Sequence, residues 1–168
     1  AMFDKMPTFD RRVVCYDRRN PDTFPFPPEN IFAIRAKSAF WTEVGLSLNL
    51  GNPLFDFLKD WEPEIIHAQF LPSARIAAAI KKHFGGRPQI VLHVHGQDFF
   101  IPEQLKKLKY LNQQLKKADL ILTPSEFVKT AIQNRFPELQ KIVCYYTAID
   151  SANYVYQPPA SLSKEVTL

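Results

Sequence analysis

No run of this chain is apolar for long enough to cross a bilayer, and its opening residues, Ala1-Met2-Phe3-Asp4, lack the basic and apolar regions of a secretory signal. Cytoplasmic residence is the resulting expectation. Cysteine is nearly absent: Cys15 and Cys144 are the only 2, each inside an expected strand, where a small buried thiol is the ordinary reading and a disulfide or metal pair the rare one. Glycine is also scarce, at 5 against 14 phenylalanines, which implies either a heavily aromatic core or an exposed aromatic face. There is no internal repeat and no long low-complexity tract. The Gly-x-Ser-x-Gly elbow of serine hydrolases is missing, as are ribonucleoprotein and helix-turn-helix signals. Those absences set aside a Ser-His-Asp hydrolase and a nucleic-acid binder.

What is present is a 168-residue chain, 46% hydrophobic, of a size and composition that suit one globular domain with a real core. A net charge of +4 and a pI near 9.1 favour anionic partners such as nucleotide diphosphates, acidic membranes or nucleic acid, without choosing among them. The most informative stretch is Ile90-Val91-Leu92-His93-Val94-His95-Gly96-Gln97-Asp98, an apolar run that stops on histidine, glycine and aspartate. In open α/β sheets ligands collect just beyond the carboxyl ends of strands, so polar groups placed there point to a site. Two other segments share this grammar. Glu64 to Phe70 ends an apolar pair on His67, and Ala118 to Glu126 runs from a short strand straight into a helix start.

Along the chain, Arg11 to Tyr16 reads as a strand, and Pro21, Pro25, Pro27 and Pro28 make Asn20 to Asn30 an extended loop. A short strand or turn from Ile31 precedes a helix expected around Ala39 to Leu48. Pro53 opens another helix, with Leu54, Phe57, Leu58 and Trp61 on one face and Pro63 as its end. A strand over Glu64 to Ala68 leads to a helix capped by Ser73, carrying Ile76, Ala79, Ile80 and His83 at helical spacing, and stopped by Gly85 and Gly86. The next strand is expected to end at His95. Glu103 to Ala118 then places Leu105, Leu108, Leu111, Leu115 and Ala118 on one helical stripe, with Lys106, Lys109, Lys116 and Lys117 largely outside it. Thr123-Pro124-Ser125-Glu126 reads as a capping box with Thr123 as the cap, starting a helix that runs to about Phe136 and stops before Pro137. Alternating strands and helices of these lengths predict an α/β fold: a doubly wound, mostly parallel, Rossmann-like sheet.

Four histidines, His67, His83, His93 and His95, raise the question of zinc. His93 and His95 alternate along a strand and are taken to point to opposite faces, which argues against a shared metal. Gly96 offers close backbone approach or an unusual dihedral beside His95. Asp98 serves either as a local cap that orients the loop or as a contact for a substrate hydroxyl. Ser125, at a helix amino end, lies where an anion is well received. Lys106, Lys107, Lys109, Lys116 and Lys117 read first as a solvated helix face and second as a grip on anionic lipid.

In chain order, His67-Ala68-Gln69-Phe70, His95-Gly96-Gln97-Asp98, Asp119 to Lys129, and Lys141-Ile142-Val143 followed by Thr147-Ala148-Ile149-Asp150 resemble the amino-terminal domain of GT-B fold glycosyltransferases of family 4. The resemblance implies the acceptor-side, Rossmann-like half of a retaining sugar transferase, with no cofactor and a nucleotide-sugar as co-substrate. Its partners would be that donor, a saccharide or glycolipid acceptor, and peripherally an anionic membrane. His95 would face the donor sugar, and His67, Gly96, Asp98 and Ser125 would line the substrate cleft. Residues 1–150 would form this domain and residues 151–168 a linker toward an absent carboxy-terminal donor-binding domain, so the chain alone would be an inactive fragment of a hexosyltransferase serving polysaccharide biosynthesis. The sequence departs from the pattern in three places: the family's first strand and glycine-rich loop are not visible, Thr147-Ala148 stands for Asn-Gly, and Gln97 for a frequent tyrosine. Those departures keep two alternatives open, a non-catalytic binding subunit and a basic membrane-docking domain.

Overall fold

The computed structural model describes residues 10–16, 28–34 and 53–146. Two parallel sheets organise them. β1 (Val13–Tyr16) pairs with β2 (Ile31–Ile34), and β3 (Ile65–Gln69), β4 (Gln89–His93), β5 (Leu120–Thr123) and β6 (Ile142–Cys144) form a second sheet in the order of the chain. The register sets Gln69 beside His93, His93 beside Leu122 and Thr123 beside Cys144, so the carboxyl ends of four strands come out along one rim. The expected α/β fold with a parallel sheet is therefore what the chain adopts. The expected helix at 39–48, the segment 147–150 and the linker at 151–168 lie outside the described residues.

Helices α1 (Pro53–Leu58), α2 (Ala74–His83), α3 (Gln97–Gln104), α4 (Leu108–Leu115) and α5 (Glu126–Arg135) connect and cover the strands. α2 acts as a wedge between two cores. Its Ala74 and Ala77 join Leu92, Val94, Phe99, Leu111, Leu115 and Ile132 over the larger sheet, while its Ile76 and Ile80 meet Leu54, Phe55, Leu58 and Ile34. Full burial of each of these larger aliphatic or aromatic side chains contributes roughly 1.5–3 kcal/mol. α2 ends as its glycines predict: Gly85, at φ 64, donates its N–H to Lys82 O, and Gly86 donates to Lys81 O. At the amino end of β5, Asp119 Oδ2 accepts from Lys81 Nζ at 2.6 Å and from Ile90 N at 2.7 Å, tying α2, β4 and β5 together at the end of the sheet away from the site. Cys15 and Cys144 are both half-buried strand residues, outside any disulfide.

Four expectations about elements are corrected, the first being Ser73, whose side chain makes no capping bond to α2. The single helix over Glu103 to Ala118 is two shorter ones, because a helix has already begun at Gln97 behind the turn at Gly96 and closes at Lys106. Lys106 sits at φ 55, donating its N–H to Glu103 O, and Lys107 donates to Pro102 O; these are the paired bonds of a Schellman ending, here without the usual glycine. Leu105, which the stripe assigned to the core, is 61% exposed in consequence. β4 stops at His93, two residues early, since the chain must turn at Gly96. Thr123 is not the cap of α5: it stays in the sheet as a fully buried strand residue whose carbonyl accepts from Tyr145 N, and Ser125 caps instead.

Candidate functional site

The period of two along a strand puts residues i and i+2 on one face. His67 and Gln69 on β3 therefore share a face, and so do His93 and His95, which corrects the expectation that the latter two point apart. Their rings stack at 4.4 Å between centroids, and His67 stacks on His93 at 5.9 Å. Gln69 joins the group covalently distant from His95 but bonded to it: its Oε1 lies 2.7 Å from His95 Nε2, and its Nε2 lies 3.0 Å from His67 Nε2. Phe70 completes the cluster, with its ring 4.1 Å from that of His95. Stacked imidazoles do not converge their lone pairs on one point, and no group of three metal-binding side chains occurs among the described residues.

The loop that carries His95 is held by Asp98. Its Oδ1 accepts from His95 N at 2.9 Å and its Oδ2 from Leu71 N at 2.8 Å, so one carboxylate ties the turn after β3 to the turn after β4. Both oxygens are committed to backbone, which is the loop-orienting role; the position in the first turn of α3 also suits a negative charge. Gly96 has φ 96, and a Cβ there would meet only a Val128 methyl carbon at 3.8 Å, so the backbone angle, rather than lack of space, requires glycine. Its carbonyl accepts from Phe99 N and Phe100 N, starting α3. Phe70 has a similar backbone problem without glycine's freedom. At φ 66 and ψ 145 it occupies a region that side-chain-bearing residues avoid, pinned by its N–H donating to His93 O and by its carbonyl accepting from Ser73 N.

Burial differs sharply among the histidines. His95 and His67 are exposed, whereas His93 is 8% exposed and its Nε2 meets no partner among the described residues. Desolvation, followed by charge on His95 and then on His67, pushes the His93 pKa down, with Asp98 opposing. His67 is lowered too, first by partial removal of its ring from water and then by His95, although the residue as a whole remains exposed. His67 and His93 therefore favour their neutral forms. Ser125 stands at the end of β5, where its Oγ accepts from Val128 N at 3.3 Å; it makes no bond to the histidines, and Glu126 turns to Lys129 rather than back to the cap.

Four of the five sequence-derived residues, His67, His95, Gly96 and Asp98, are thus brought together at the ends of β3 and β4, with Ser125 on the neighbouring strand end. Sequence reasoning passed over Gln69, Phe70 and His93 as site residues. The signal for Gln69 and His93 was available: each lies two residues from a chosen histidine on the same strand face. Nothing in the sequence marks Phe70 as strained.

Around the turn from α3 to α4, Ile101 and Leu105 are exposed beside Lys106, Lys107 and Lys109. Lys116 and Lys117 do not belong to this surface alone, since Lys116 faces Glu138 at 3.6 Å and Lys117 Nζ donates to Gln113 O. No helix among the described residues is long and apolar enough to cross a membrane.

A family model described as Glycosyltransferase Family 4 matches residues 9–153. No curated protein matches the chain.

Proposed function

This chain belongs to glycosyltransferase family 4, and we propose that it is the acceptor-side domain of a retaining enzyme that moves a sugar from a nucleotide donor to a hydroxyl of a saccharide or glycolipid. The supporting observation is the imidazole and amide cluster His67–Gln69–His95 at the carboxyl ends of β3 and β4, where ligands of parallel sheets gather. The neutral imidazole of His67 and a primary amide suit hydroxyl groups, which both donate and accept, better than they suit a diphosphate. Phe70, half-exposed and stacked on His95, adds an apolar face for one side of a sugar ring. His95 lies close to the transferred sugar in this reading, Gly96 and Asp98 fix its loop, and Ser125 and His67 contact substrate. In this reading the leaving diphosphate is held by a donor-binding domain, and the acceptor-side domain alone turns nothing over.

The test is binding to the chain itself. Saccharide and glycolipid acceptors should perturb the amide signals of residues 69–71, 95–98 and 125, and His95→Ala should weaken that binding about 3- to 10-fold, the worth of one hydrogen bond. Acceptors that perturb none of these positions, or sustained sugar transfer by the chain alone, would overturn the reading. A second partner, an anionic membrane surface, is supported by the exposed Ile101 and Leu105 beside three exposed lysines, an arrangement suited to docking near a glycolipid acceptor.

A further inference from the structure

We propose that Gln69 is a positioning residue that sets the protons of the two site histidines, holding His67 as the neutral Nδ1–H tautomer and His95 with its proton on Nε2. A primary amide has one end that only accepts and one that only donates. Here the accepting Oε1 faces His95 Nε2 at 2.7 Å, so that nitrogen must carry hydrogen; the donating Nε2 faces His67 Nε2 at 3.0 Å, so that nitrogen must present a lone pair. The two rings cannot both offer Nε2–H while the bridge stands. Reversing the amide would exchange the roles but not remove the opposition.

The surroundings favour the stated orientation. His67 on β3 is the ring whose protonation is disfavoured, by desolvation and then by charge on His95. His93 on β4 stacks against both rings, and the one carboxylate beside them among the described residues, Asp98 on α3, spends both oxygens on backbone N–H groups. Asp98 therefore leaves the imidazole protons to the amide. The consequence for ligand binding is specific: His95 Nε2 is committed to Gln69, while Nδ1 makes no bond to a described residue and, in the neutral ring, is an acceptor for a sugar hydroxyl. That use of the tautomer rests on the acceptor-domain reading, whereas the tautomer itself does not.

Long-range nitrogen–proton correlation spectra of the imidazole side chains read the tautomers directly in the whole chain, without turnover. At neutral pH, His67 should show Nδ1–H and His95 Nε2–H. Gln69→Ala removes the bridge, and the His67 signal should move toward the Nε2–H form. Gln69→Glu keeps the shape but only accepts, so both rings should show Nε2–H and the His67 titration midpoint should rise, with an unchanged backbone fingerprint as the check on folding. Nε2–H on His67 in the unaltered chain, or His67 and His95 tautomers indifferent to both substitutions, overturns the proposal. If the tautomers are as stated but no saccharide binds, the functional reading fails alone; if saccharides bind with the tautomers reversed, this inference fails alone.

Discussion

Phe70 pairs a strained backbone with an exposed ring, and two substitutions separate those contributions. Its φ of 66 and ψ of 145 cost about 1–3 kcal/mol for a residue with a side chain. Phe70→Ala keeps that cost and loses the stack on His95, about 0.5–1.5 kcal/mol and nearer the low end because the ring is 49% exposed. Phe70→Gly loses the same stack but releases the strain, offset by the 0.5–1 kcal/mol or so of extra chain entropy that glycine gives up on folding. Glycine should therefore be more stable than alanine here by about 1 kcal/mol, the reverse of the usual order within regular structure. In urea, with a slope of about 2 kcal/mol per molar, the midpoint of Phe70→Gly should exceed that of Phe70→Ala by about 0.5 M. Both variants should bind acceptors poorly, since the ring is gone from each. An equal or lower midpoint for the glycine variant would refute the claim that stability is given up here to hold a ring against His95.

Much of the fold was legible because it depends on local signals that act within a few residues. Gly85 and Gly86 stopped α2 where a left-handed turn was needed, Pro53 opened α1, and the apolar runs at Ile65–Gln69 and Leu120–Thr123 became parallel strands. The stripe from Leu105 to Ala118 misled because helical spacing persists across a break: Leu108, Leu111 and Leu115 do face inward, but the Lys106 turn swings Leu105 into solvent. Thr123 misled for another reason. Capping chemistry fits both Thr123 and Ser125, and the choice falls to the sheet, which buries Thr123 against β6 before the helix can claim it. At the site, His95, Gly96 and Asp98 were readable as a strand end. The Gln69 bridge spans 26 residues and needs the register of β3 on β4, which no single segment encodes.

Lys106→Gly should stabilise the chain by about 1 kcal/mol, because φ 55 costs an L-residue roughly 1–2 kcal/mol; a melting temperature higher by about 2–4 °C is expected, and no rise would mean the turn is unstrained. If the α3–α4 turn docks on lipid, changing Lys106, Lys107 and Lys109 to glutamate should abolish low-salt co-sedimentation with anionic vesicles, each lysine contributing about 1 kcal/mol; undiminished binding removes this surface from consideration. His93 sets the response to mild acid. Burial, then charge on His95 and His67, lowers its pKa in the fold against Asp98, so below the unfolded value of about 6.5 the unfolded chain takes up a proton that the folded chain refuses. Stability is complete above that value and falls as pH drops toward the folded pKa, by up to about 1.4 kcal/mol per pH unit for one such group, and His67 adds in the same sense. Asp119 acts only in a lower window: its desolvation is outweighed by the bonds from Ile90 N and Lys81, so its contribution is lost below the ordinary carboxylate range of about 4. Urea midpoints at pH 7.5 and 5.5 therefore isolate the histidines, and His93→Gln should lose clearly less stability between them than the unaltered chain; equal losses would mean that His93 is protonated as readily in the fold as outside it.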